Sequence, residues 1–287
     1  MLKTRRGGGV TRQWVAVGEG GFIANSPDGN NWTAAATKGG ITSYGRGVAY
    51  GKDASGTGRW VAVGGGSIIA YSPDGNNWTA AATTGGISNP AYGVAYGKDG
   101  SGTGRWVAVG LGGLIAYSAD GDTWYAAATK GGIVGQATGV AYGKDGSGTG
   151  RWVAVGGGSL IAYSADGDTW YAAATTGGIT FGYSVAYGKD GSGAGRWVAG
   201  GVGGLIAYSA DGNTWYAAAT QGGITTTAWG VAYGKDGTGA GRWVVIGDGG
   251  VIAYSPDGNN WTAAATKGGI TYGYGVAFKE LLEVNYL

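Results

Sequence analysis

The chain contains no cysteine and no histidine, and only four prolines among 287 residues. Without cysteine there are no disulfides and no thiolate metal sites. Without either residue, the commonest general base and the thiol nucleophile are missing. The lack of disulfides does not exclude secretion, because a closed ring of sheets needs no staples. Charge is scarce too, 19 basic against 17 acidic side chains. A net charge of +2 supplies no electrostatic footprint for nucleic acid. Arg5 and Arg6 stand beside Gly7, Gly8 and Gly9 and read as a solvated arm over residues 1–10, not a phosphate contact. No apolar run reaches the ~18 residues of a membrane span. Met1–Val10 also lacks the apolar stretch of a signal peptide, which leaves either a mature form or another export route.

What is abundant is periodic. The 68 glycines, 13 tryptophans and 19 tyrosines recur at fixed places, so low complexity is excluded. A Trp-Val pair begins at Trp14, Trp60, Trp106, Trp152, Trp197 and Trp243, at intervals of 46, 46, 46, 45 and 46 residues. A unit of that size cannot bury its own core, so the copies must stack into one domain. Each unit carries four β-type segments, termed A to D from inside outward. They are Gly-Val-Ala-Tyr-Gly (Gly93–Gly97), Arg-Trp-Val-Ala-Val-Gly (Arg105–Gly110), Leu-Ile-Ala-Tyr-Ser (Leu114–Ser118) and Thr-Trp-Tyr-Ala-Ala-Ala-Thr (Thr123–Thr129). They are rich in β-branched and aromatic residues and bounded by glycine turns. Segment D is alanine-rich and could read as a helical turn on propensity alone; its flanking Gly-Gly and its repetition favour an outer edge strand. Four antiparallel strands at this period predict an all-β, six-bladed β-propeller over residues 11–278.

The chain opens in segment B and ends with an extra segment A, Gly275-Val276-Ala277-Phe278. The last strand is therefore expected to complete the first blade and close the ring, which removes an open sheet edge. The tail, residues 279–287, departs from the repeat and carries Leu281, Leu282, Val284, Tyr286 and Leu287. It either folds back on its own blade or docks on a neighbour, the second giving a self-assembling component. Near identity of the copies implies recent duplication or construction; the irregular tail and varied loops favour a natural origin.

Six turns between C and D read Ser-x-Asp-Gly-x-x-Trp: Ser26–Trp32, Ser72–Trp78, Ser118–Trp124, Ser164–Trp170, Ser209–Trp215 and Ser255–Trp261. They resemble the Asp-box, or BNR, repeat of sialidase-like propellers, one residue shorter than that family's Ser-x-Asp-x-Gly-x-x-Trp. The resemblance implies a propeller fold, boxes that serve folding, and an extracellular, cell-surface or virion location. It implies no particular activity. Chemistry supports the structural role, since Ser and Asp oxygens can bond the backbone of their own turn.

An enzyme is not expected. Six Asp lie in boxes, and five more (Asp53, Asp99, Asp145, Asp190 and Asp236) lie in A–B hairpins. Copies related by the repeat point in different directions and do not converge on one bond. Glu19 and Asp248, on matching B–C turns, form the one candidate carboxylate pair. The hairpin Asp99–Gly104 faintly resembles a calcium loop, but one carboxylate per loop is too few for that ion. No cofactor and no metal are expected.

Variation between the six copies points to function. It gathers in the D–A connections and the B–C turns, which in an up-and-down blade emerge on one face. The connections carry Tyr44, Arg46, Tyr92, Gln136, Phe181, Tyr183, Trp229, Tyr272 and Tyr274. Drift would favour small polar residues; rings with a polar edge make efficient binding surface for a glycan or a surface protein. Some of these rings could instead cap the central channel.

Overall fold

The computed structural model describes residues 13–271 and 276, apart from 54, 88, 89, 237, 267 and 269. The arm, the tail and most of the expected closing strand lie outside the described residues. Strands β1 (Trp14–Val17), β2 (Ile23–Ser26) and β3 (Thr33–Ala34) form the first sheet. The second contains β4 (Gly45–Lys52), β5 (Gly58–Gly64), β6 (Ile69–Ser72) and β7 (Thr79–Ala80), paired in that order. Four more four-stranded sheets repeat this pattern, with innermost strands Ala91–Lys98, Ala137–Lys144, Gly182–Lys189 and Ala228–Lys235. All strand pairs are antiparallel, as at Tyr50↔Trp60 and Val61↔Tyr71. The result is a six-bladed β-propeller, and Val276 joins valines of the five innermost strands around one central cavity.

One expectation is adjusted. The outermost strand spans only two residues, as at Thr79–Ala80. Beyond it the backbone turns to the next blade: Ala82 N–H donates to Asp122 Oδ1 at 2.8 Å, and Thr83 to the Trp124 carbonyl at 2.9 Å. The alanines are small enough for this crossing, and the edge they leave is too short to template further pairing.

The box turn is built from its own side chains. Ser72 Oγ donates to Asp74 Oδ1 at 3.0 Å and accepts from Gly75 N–H at 2.8 Å. Asp74 Oδ1 accepts from the N–H groups of Asn76 and Asn77. Gly75 takes φ +70°, which a side chain resists. The Trp78 indole donates to the Gly75 carbonyl at 3.0 Å, and its ring packs against the preceding blade beside Ile23 and Ile41. Box tryptophans 78, 124, 170, 215 and 261 are 2–4% exposed; Trp32, on the first blade, is 45% exposed.

Interfaces between blades that follow one another along the chain repeat a threonine link, and all but the first, where Gln13 reaches the Asp74 carbonyl, repeat an arginine link. Thr37 Oγ1 donates to the Trp78 carbonyl and accepts its N–H, and Arg59 donates to the Asp120 carbonyl at 2.6 Å. At the axis, the rings of Tyr96, Tyr142, Tyr187 and Tyr233 cover Gly51, Gly97, Gly143 and Gly188 of the blade before. Each tyrosine also lies against the Trp of its own second strand, as for Tyr142 and Trp152 at 4.8 Å between ring centroids.

Two outcomes are expected. Gly97→Ala would drive a methyl group into the Tyr142 ring and lower stability by about 3 kcal/mol, the upper end of overpacking. Gly100→Ala, in the open A–B hairpin, meets nothing within 4 Å and should cost under about 0.5 kcal/mol; urea unfolding of the pair checks this. The second outcome concerns acid. Burial opposes ionisation of Asp74 and Asp257, but donors from Asn77, Asn76 and Ser72, and from Asn260, Asn259 and Ser255, outweigh it and hold both near 2. A lowered folded-state value means stability that is full above about pH 4, where unfolded Asp is ionised, and lost as the pH falls toward 2. Melting temperature measured from pH 5 to 2 should fall through that window, with a shallower fall in Asp74→Asn.

Candidate functional site

Each four-stranded blade breaks register once, at the start of its innermost strand. Gly45 pairs with Gly64 and Gly47 with Val63, which leaves Arg46 as the extra residue of a bulge. The same slip leaves Tyr92, Thr138, Tyr183 and Trp229 as extra residues in the next four blades. A bulge re-aims its side chain, and here it does so at a common target. All five residues line the mouth of the central cavity, of ≈ 270 Å³. Deeper in, its wall is Val48, Val94, Val140, Val185, Val231 and Val276.

A second tier surrounds this ring. Tyr44, Gln136, Phe181 and Thr227 form single bridges to Glu19, Leu111, Gly157 and Val202 of the B–C turns. D–A and B–C connections therefore share one face, as the sequence predicts. Tyr44 is exposed and its hydroxyl donates to Glu19 Oε1 at 3.4 Å. Gln136 is half-buried and its carbonyl accepts the Gly157 N–H at 2.8 Å, so it acts mainly through backbone.

The aromatic residues group into two sets. Phe181 and Tyr183 lie 4.9 Å apart between centroids, and Tyr183 and Trp229 4.2 Å. The Trp229 indole donates to Asp248 Oδ1 at 2.6 Å. That bond, with hydroxyls of Thr227 and Thr226, outweighs desolvation and holds the Asp248 carboxyl below the usual carboxylate range. On the other side, the Arg46 guanidinium lies 4.8 Å from the Tyr92 ring centre and 5.4 Å from that of Tyr44. Thr138 separates the sets, its hydroxyl spent on the Gly182 and Val155 carbonyls. Tyr272 and Tyr274 lie outside the described residues.

Of the residues expected from the sequence, Arg46, Tyr92, Tyr183 and Trp229 meet at the mouth, and Tyr44, Gln136 and Phe181 stand in the outer tier. Thr138 was not among them, although the 46-residue period aligns it with Arg46 and Tyr92. Glu19 and Asp248 are each engaged by a different aromatic, Tyr44 and Trp229. The hairpin carboxylates are also committed. Asp99 Oδ1 accepts from Ser101 and Thr103 N–H and from the Ser101 hydroxyl, while Oδ2 faces Arg105 at 3.6 Å. Among the described residues, no group of three or more acidic side chains is placed to hold a metal. No helix there is long and apolar enough to cross a membrane.

No family model matches the chain, and no curated protein matches it. Solved structures do. YCF48 bound to a D1 peptide superposes with TM-score 0.60 at 17% identity, over 88% of this chain and 77% of that one. YCF48 from Cyanidioschyzon merolae gives 0.59 at 17%, over 88% and 80%. The GH74 enzyme of Niastella koreensis gives 0.54 at 19%, over 92% of this chain but 39% of its own length. At these identities the likeness is one of fold, and the fold shared is the β-propeller.

Proposed function

We propose that the chain is a non-catalytic binding module that takes a carbohydrate on the bulge face, at the mouth of the central cavity. One observation carries the reading: a single repeated backbone device turns five side chains to one point, and those five are Arg, Tyr, Thr, Tyr and Trp. A device kept constant while its side chain varies is the arrangement of a recognition surface on a rigid scaffold. Tyr183 and Trp229, half-buried and packed on each other at 4.2 Å between centroids, make an aromatic surface at the mouth suited to the apolar face of a sugar, and their polar edges can meet hydroxyls. The Asp248 bond fixes the Trp229 indole, so less order is lost on binding. Among the described residues, the box, hairpin and B–C turn carboxylates accept hydrogen bonds from box turns, hairpins and aromatic side chains. A protein partner is the second reading, favoured by the likeness to YCF48 bound to a D1 peptide. A cell-surface or virion location accords with the Asp-box resemblance.

The test is binding to a broad glycan array. Wild-type protein should bind a defined subset, and Trp229→Ala should weaken it at least tenfold, about 1.4 kcal/mol, while the variant remains folded at the assay temperature. A blank array would end the carbohydrate reading and leave the peptide one.

A further inference from the structure

Among the described residues, arginine is treated uniformly with one exception. Arg59, Arg105, Arg151, Arg196 and Arg242 each face an aspartate six residues earlier, at 3.9, 3.6, 3.4, 3.3 and 3.0 Å. Each also lies over a tyrosine ring, 4.6–4.8 Å from its centre. Arg46 keeps the tyrosines and lacks the carboxylate. Its guanidinium touches Tyr92 and Tyr44, yet it has no hydrogen bond or ion pair among the described residues. The two carboxylates of the same face do not supply one, since Glu19 takes the Tyr44 hydroxyl and Asp248 the Trp229 indole.

The geometry is that of a receptor awaiting an anion. Two aromatic contacts hold the planar group, and no protein group among the described residues takes its N–H donors. Those donors form a fork that matches an oxyanion with two acceptor oxygens. Arg46 is exposed at the cavity mouth, so the fork is accessible from the binding face. Resting on the carbohydrate reading above, we propose that the ligand is an acidic glycan, whose carboxylate or sulfate ester is received by Arg46 while another sugar of the same chain stacks on Tyr183 and Trp229. Arg46 then sets charge specificity, and the aromatic pair supplies contact area indifferent to charge.

Matched pairs of probes test this: oligogalacturonides against their methyl esters for a carboxylate, and sulfated galactan oligosaccharides against their desulfated parents for a sulfate. In at least one pair the acid should bind wild-type protein ten or more times tighter than its neutral counterpart. Arg46→Gln should reduce that preference to within about twofold, and Arg46→Lys, which keeps charge without the fork, should retain part of it. Trp229→Ala should weaken acid and neutral members alike. Equal binding of acid and neutral members, or a preference that survives Arg46→Gln, overturns the acidic ligand; if Trp229→Ala still abolishes binding, the carbohydrate reading stands. Binding to no glycan, here or on the array, overturns both. Capture instead of a peptide with a free C-terminal carboxylate, lost on amidation and in Arg46→Gln, overturns the glycan and keeps only the anion.

Discussion

The whole assembly depends on how closely one innermost strand can approach the next, and a single tyrosine–glycine contact sets that distance. Tyr96, Tyr142, Tyr187 and Tyr233 each lay a ring where Gly51, Gly97, Gly143 and Gly188 would otherwise carry a side chain. The contact is fastened at its far end, where Tyr96 and Tyr187 hydroxyls donate to the Lys52 and Lys144 carbonyls at 2.7 and 2.8 Å. Behind the tyrosine, a buried tryptophan of the second strand fills the blade. Side chains from different blades can share one cavity only because this contact draws the strands together. The bulge ring is thus a consequence of packing at the opposite end of the same strands.

The two faces of the disc divide the work. On the box and hairpin face, nearly every charge is consumed locally: Asp by turn N–H groups, Arg by Asp, Tyr and a carbonyl of the next blade. Such positions cannot drift without loosening a turn or an interface, which accounts for their sameness from copy to copy. On the other face, the fold uses mainly backbone, through bridges such as Leu111↔Gln136 and Gly157↔Phe181. Apart from links such as Thr138 to the Gly182 carbonyl and Trp229 to Asp248, side chains there are released from folding duty and are available for recognition.

Much of this was legible in the sequence because repetition multiplies a weak signal six times. The β segments, their order from the axis and the shared face of the varied connections follow from spacing and from the alternation of an up-and-down blade. The length of the outer strand did not follow, because alanine serves edge pairing and chain crossing equally well, and the crossing depends on Asp122 and Trp124 of the next blade. In the site, Tyr183 and Trp229 stood out as aromatics in varied loops. Thr138 did not, because it is not aromatic, although the 46-residue period sets it level with Arg46 and Tyr92; that the position is a bulge shows only in the strand register. The bond from Trp229 to Asp248 was half visible. Asp248 was conspicuous on its turn, but its partner depends on how that turn meets the start of the innermost strand.

The links between consecutive blades join unlike groups on their two sides. Threonine, arginine and alanine N–H on one blade meet the tryptophan, aspartate and asparagine of the blade that follows, while the tyrosine hydroxyl of the later blade meets a lysine carbonyl of the earlier one. Such an interface is heterologous, and one copy of it is interchangeable with any other. A unit can therefore be gained, lost or moved to the other end of the chain without inventing a new contact. Nothing in the pairing chemistry counts to six; the angle between neighbouring blades alone decides how many fit around the axis. A protein built this way can exchange one bulge residue for another by shuffling whole units, and so revise its binding face in a single genetic event.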